Sequence, residues 1–115
     1  MILGVGVEPG TPAAHLLDAV AALGDVEIDA VATIDRRLDE PAIDAVAAGR
    51  RLFAYTTAEL DAVDVPNPSA VVRRLTGTGS VAEAAAILAA RATGGDGVLV
   101  VEKRRGSGVT VALAR

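Results

Sequence analysis

The sequence predicts a single α/β domain: a mixed, mostly parallel sheet, helices on its faces, and a C-terminal antiparallel hairpin. Three observations carry this. Short apolar runs alternate with helix-start signals through the first two-thirds of the chain, which is the rhythm of strand–helix–strand units. Two β-branched runs, 98–101 and 109–113, flank a basic loop containing glycine, as in a hairpin. The 115 residues, 51% hydrophobic and 23% charged, suit one domain spanning 1–115 with a packed core.

The opening run Met1–Val7 reads as a buried strand, and Glu8-Pro9-Gly10 as a turn. Thr11 is expected as an N-cap, with Pro12 at the first helical position. Ala13, Leu16, Val20 and Leu23 then share one helical face, His15 and Asp18 lie opposite, and Gly24 sits where a C-cap glycine belongs. Val26–Thr33 is ambiguous: Val31–Ile34 reads as a strand, and the residues before it fit a turn of helix. Asp39-Glu40-Pro41 opens a short helix that turns Ile43, Val46 and Ala47 inward and ends at Gly49. Leu52–Tyr55 is a third strand.

Thr56-Thr-Ala-Glu59 has the spacing of a capping box ahead of Leu60 and Val63. Asn67 within Pro66–Ser69 is a further helix start, followed by Val71, Val72 and Leu75, and Thr76–Gly79 reads as a loop. Ser80-Val-Ala-Glu83 repeats the capping-box spacing and opens the best-defined helix, with Val81, Ala84, Ala85 and Leu88 on one face. Gly94–Gly97 ends it.

Composition narrows the function. Aromatics are only 2%, so small aliphatic residues fill the core and let helices approach the sheet closely. Two rings offer no platform for stacked bases, and a net charge of −4 opposes phosphate binding, so nucleic acid is not an expected partner. Without cysteine there is no disulfide, thiolate nucleophile or zinc–thiolate site, and a single histidine makes a metal site an unexpected feature. No cofactor is expected. No run approaches the ~20 apolar residues of a membrane span, and no signal peptide is evident, so a cytoplasmic location is expected.

Three segments have the composition of a binding site. Gly4, Gly6 and Gly10 with Thr11 lie between a strand and a helix, where backbone N–H groups and a helix N-terminus can receive an anion. The spacing departs from the dinucleotide fingerprint and lacks the lysine of a P-loop, and a plain tight turn fits it too. Thr33, Asp35, Arg36 and Arg37 follow a strand, the usual place for ligands in open α/β sheets, although a loop carboxylate with solvated arginines has the same appearance. Lys103 and Arg104 belong to a basic loop in an acidic protein, which attracts anions or simply solvates a hairpin tip. His15, Ser69 and Ser80 have no catalytic neighbour in sequence.

In order, Gly4–Thr11, Ala32–Asp35 with Asp39–Pro41, Val65–Ser69, Gly79–Ala85, and Lys103 with Val109–Ala114 resemble the motifs of one family along nearly the whole chain. It is the family of CobE and the C-terminal part of cobalt-precorrin-5A hydrolase, in cobalamin biosynthesis. The resemblance implies an α/β domain that binds a corrin-ring precursor, with a cobalamin-pathway enzyme as the protein partner to expect. In the hydrolase the reaction opens the ring-A δ-lactone and releases acetaldehyde. A polycarboxylate substrate would give Arg36, Arg37, Lys103 and Arg104 the role of clamps, with Gly4, Gly6, Gly10, Thr11, Thr33 and Glu40 lining the pocket. Asp35 is the candidate general base for an attacking water. The family usually carries Cys-Arg-Arg or Cys-Arg-Lys in the glycine loop, where this chain has Val7-Glu8-Pro9. One anion thus stands where two cations are usual. A third reading is a non-catalytic interaction domain of a pathway complex.

Overall fold

The computed structural model describes residues 1–68 and 80–115. Five strands, β1 (Ile2–Val7), β2 (Ala30–Ile34), β3 (Arg51–Tyr55), β4 (Leu99–Arg105) and β5 (Val109–Ala114), form one sheet in the order β3-β2-β1-β5-β4. β2 pairs in parallel with both β1 and β3. β5 pairs antiparallel to β1 and to β4. Four strands therefore run one way and β5 alone is reversed. This is the mixed sheet with a closing hairpin that the sequence predicts.

Helices α1 (Ala13–Ala21) and α2 (Pro41–Ala47) cover one face, where Leu3, Val5, Val31, Val111 and Leu113 pack on Leu16, Ile43 and Val46. The one-turn helix α3 (Thr57–Asp61) and the longer α4 (Val81–Ala92) cover the other. There the sheet presents mostly small side chains, and Ala84, Ala85, Ala86 and Ala89 of α4 meet Ala30, Ala32 and Ala114. The missing aromatic bulk is thus replaced by close approach. A Cβ built on Gly4 would lie 1.9 Å from the Ala82 carbonyl oxygen and 2.8 Å from Ala86 Cβ. Gly4 is therefore a packing residue beneath α4 and does not line a pocket, because only a hydrogen fits between strand and helix.

Local signals are realised unevenly. The Thr56–Glu59 capping box forms with both reciprocal bonds. The expected box at Ser80 does not: Ser80 makes no cap bond, and Glu83 turns into the core. Thr11 is not the cap of α1 either. The helix begins after Pro12, and the Thr11 hydroxyl donates to the Glu8 carbonyl at 2.7 Å and to the Gly108 carbonyl at 3.3 Å. α2 ends with Ala48 in the left-handed region at φ 48°, and Gly49 follows at φ 82°. The ambiguous stretch resolves into an irregular lead-in to β2, with the Asp29 N–H donating to the Met1 carbonyl. The helix expected to follow Asn67, with Val71, Val72 and Leu75, and the loop Thr76–Gly79 lie outside the described residues.

Tyr55 closes edge strand β3, its ring stacked on Phe53 at 6.4 Å, with the Arg51 guanidinium 4.5 Å from the Phe53 centroid. Its hydroxyl is buried and has no hydrogen-bond partner among the described residues. Burial, and then the negative charge of Glu59, hold the phenol above its usual range, against the opposing pull of Arg51. Removing an unsatisfied buried hydroxyl relieves a desolvation cost, so Tyr55→Phe is expected to gain about 1 kcal/mol, read as a higher Tm. The pH signature has a definite sign. With the folded value above 10.0, the stability Tyr55 contributes is present below pH 10 and lost as pH rises through the raised value. The phenylalanine variant should lack that alkaline loss; equal alkaline profiles would sink this account.

Candidate functional site

The carboxyl ends of β1 and β2, the end of β4 and the start of β5 meet at one end of the sheet. In open α/β sheets this is where connections diverge and ligands gather. Direct bonds stitch the loops there. The Glu8 N–H donates to the Gly108 carbonyl at 2.9 Å, joining the glycine loop to the hairpin tip. Gly10, at φ +76° where a side chain would be strained, donates its N–H to Glu40 Oε1 at 2.6 Å. Arg37 Nε donates to the Val7 carbonyl at 3.0 Å. These bonds bring Gly10 and Thr11, Arg37 and Glu40, and Gly108 together from three separate segments.

A second cluster forms on the α4 side. Glu83 is 0% exposed, and its carboxylate accepts from the Asn67 N–H at 3.2 Å, Asn67 Nδ2 at 2.8 Å and the Lys103 N–H at 3.0 Å. Asn67 Nδ2 also donates to Glu102, and Lys103 Nζ donates to the Asn67 carbonyl at 2.6 Å. The Lys103 amide is available to Glu83 because the β4–β5 ladder slips its register between Val101 and Arg104. Burial, and then the nearby Arg105, hold the Lys103 amine below its usual range, while Glu83 opposes that shift.

Several expected site residues have other roles. Thr33 is 0% exposed and donates its hydroxyl to the Val5 carbonyl at 2.8 Å, so it ties β2 to β1 and lies out of a ligand's reach. Gly4 is withdrawn for the packing reason given above. Arg36 donates to Thr57 Oγ1 at 2.8 Å, Arg37 to Val7 and Lys103 to Asn67, so each of these cations spends a donor holding loops together. A guanidinium has five N–H donors and an ammonium three, so Arg37 and Lys103 can fix a loop and still hold a ligand. Arg104 is exposed opposite Val111. Asp35 is exposed at the start of a 3₁₀ turn, Asp35–Arg37. Gly6 is partly exposed and faces α4.

Sequence reasoning missed the Glu83–Asn67–Lys103 cluster. The signal was present: Glu83 shares a helical face with Ile87 and Ala90, a core position for a charge. Among the described residues, no group of three histidine or carboxylate side chains is placed to hold a metal, and no helix is long and apolar enough to cross a membrane.

The family described as Cobalamin synthesis G C-terminus matches residues 1–114. The chain belongs to this family. It is 36% identical to Protein CobE of Sinorhizobium sp. over 126 aligned residues, which cover 99% of this chain and 79% of that protein. The crystal structure of CobE, a protein from the cobalamin (vitamin B12) biosynthetic pathway, superposes with a TM-score of 0.82 at 36% identity, covering 96% of this chain and 89% of that one. The fold and the family expected from the ordered motifs are therefore those found, and the chain is a cobalamin-biosynthesis protein of the family that joins CobE and the Cobalamin synthesis G C-terminus.

Proposed function

We propose that this protein binds a corrin-ring precursor at the carboxyl end of its sheet, holding the ring's peripheral carboxylates, and that any part in ring-A lactone opening follows from that binding. The observation that carries the reading is the convergence of Arg37, Glu40 and the Gly10 loop at that end, tied by short bonds to the Val7 carbonyl and to Glu40, with the hairpin tip joined to the same loop through Glu8 and Gly108. Cations held in place before a ligand arrives lose less entropy on binding it, and charge-assisted bonds to carboxylates are the strong kind. Binding is favoured over stand-alone hydrolysis by the placement of Asp35, an exposed loop carboxylate rather than a base enclosed against a substrate. The glycine loop supplies Glu8 where the family usually has cations, so the basic hairpin becomes the main source of positive charge.

The test is a titration of the purified protein with late corrin intermediates, followed by visible absorbance. A saturable spectral change at micromolar concentration is the expected result. Arg104→Glu is expected to weaken that binding about tenfold and to flatten its salt dependence, because a screened cation is exchanged for an anion. No spectral change with any intermediate would overturn the binding reading. An unchanged affinity and salt slope in the variant would remove Arg104 from it.

A further inference from the structure

Glu40 stands immediately before α2, yet its side chain makes no cap bond to that helix. Its carboxylate reaches 30 residues back along the chain instead, where Oε1 accepts the Gly10 N–H at 2.6 Å. That bond is short and charge-assisted. It is also the one hydrogen bond or ion pair of this carboxylate among the described residues, and it lies in an exposed place.

The Gly10 amide therefore already serves as a receptor for a carboxylate, filled from within the chain. The room beside it is open, because a Cβ built on Gly10 would meet nothing within 4 Å. Pro9 and Gly10 are both exposed, so a solute reaches the loop without moving a helix. Arg37 is fixed to the Val7 carbonyl by Nε, which leaves its terminal nitrogens for an anion beside the same loop.

We infer that the Gly10 amide is a carboxylate-binding subsite held shut by Glu40, and that a carboxylate of the ligand enters by displacing Glu40. The identity of that ligand as a corrin precursor rests on the function proposed above; the exchange rests on the geometry of Gly10 and Glu40. The exchange conserves the bond. The Gly10 N–H keeps a carboxylate acceptor throughout, and the released Glu40 passes into water. One exposed hydrogen bond contributes little net stability, so a polycarboxylate that also reaches Arg37 outcompetes it. Glu40 is a competitor of the ligand rather than one of its holders, and it selects ligands with several carboxylates over those with one.

The experiment follows the Gly10 amide and the Glu40 carboxyl signals of the full ¹⁵N,¹³C-labelled chain during titration with propane-1,2,3-tricarboxylate. Both signals are expected to move saturably and together. With Glu40 filling the amide about nine-tenths of the time, Glu40→Gln and Glu40→Ala are expected to bind the tricarboxylate about tenfold more tightly than wild type. Asp39→Asn controls for charge alone. Asp39 is exposed beside Glu40 but has no bond to the glycine loop, so its removal should gain less than about twofold. An unmoved Gly10 signal, a Glu40→Gln variant no tighter than wild type, or an equal gain in Asp39→Asn would overturn the displacement. If the tricarboxylate moves both signals as expected while no corrin intermediate changes the visible spectrum, the subsite stands and the corrin reading falls. If corrin intermediates bind wild type and Glu40→Gln alike with the Gly10 amide unmoved, the corrin reading stands and the subsite falls.

Discussion

Gly4→Ala is expected to cost about 3 kcal/mol or more, enough to leave much of the protein unfolded at ambient temperature. The added methyl would sit 1.9 Å from the Ala82 carbonyl oxygen and 2.9 Å from its carbonyl carbon. These are backbone atoms in the first turn of a helix, so no rotamer change can relieve the contact. Relief requires α4 to lift off the sheet, and that opens the whole alanine-lined layer at once. Gly10→Ala is the matching control. Gly10 has nothing within 4 Å but holds φ +76°, so its substitution should cost only about 1 kcal/mol of backbone strain. Urea midpoints for the two variants measure the difference. A wild-type midpoint for Gly4→Ala would show that α4 does not approach β1 as described.

Glu83→Ala is the second large effect, again about 3 kcal/mol or more. Three N–H donors would lose their acceptor in a place water reaches poorly, and bonds to a charged acceptor are each worth about 1.5–3 kcal/mol. Glu83→Gln should fall between, because its one carbonyl oxygen still accepts while its NH₂ faces other donors. Faster amide hydrogen exchange at Lys103 should accompany the loss, since that N–H sits where the β4–β5 register slips. Unchanged midpoints and exchange rates would mean that the hairpin holds its shape without Glu83.

Periodicity and turn chemistry are local signals, and they located most of the fold. The apolar runs marked the strands, and Gly24 and Gly49, both at positive φ, marked helix ends. Local signals failed where a tertiary demand outweighed them. Thr56–Glu59 and Ser80–Glu83 share one pattern, yet only the exposed pair caps its helix. Glu83 is drawn inward because Asn67 and Lys103, distant in sequence, bring donors that no window of residues reveals. The same limit applied to the site. Thr33 and Gly4 stand in motif positions, but strand alternation turns one toward the α1 side and the other beneath α4. Arg37, Glu40 and Lys103 were legible as chemistry; their loop-tying bonds depended on strand order, which sequence does not encode locally.

The pairing of β1 with β5 has a kinetic consequence. Six residue pairs, from Ile2 with Ala114 to Val7 with Val109, join the two ends of the chain at the centre of the sheet. The contacts that complete the core are thus among the longest-range the polypeptide can make, and such topologies fold slowly because loop closure precedes its reward. A nascent chain can form the β1–α1–β2–α2–β3 half early, but that half exposes the flank of β1 until the last strand emerges. During synthesis the aggregation-prone edge is therefore the strand that ends up most central.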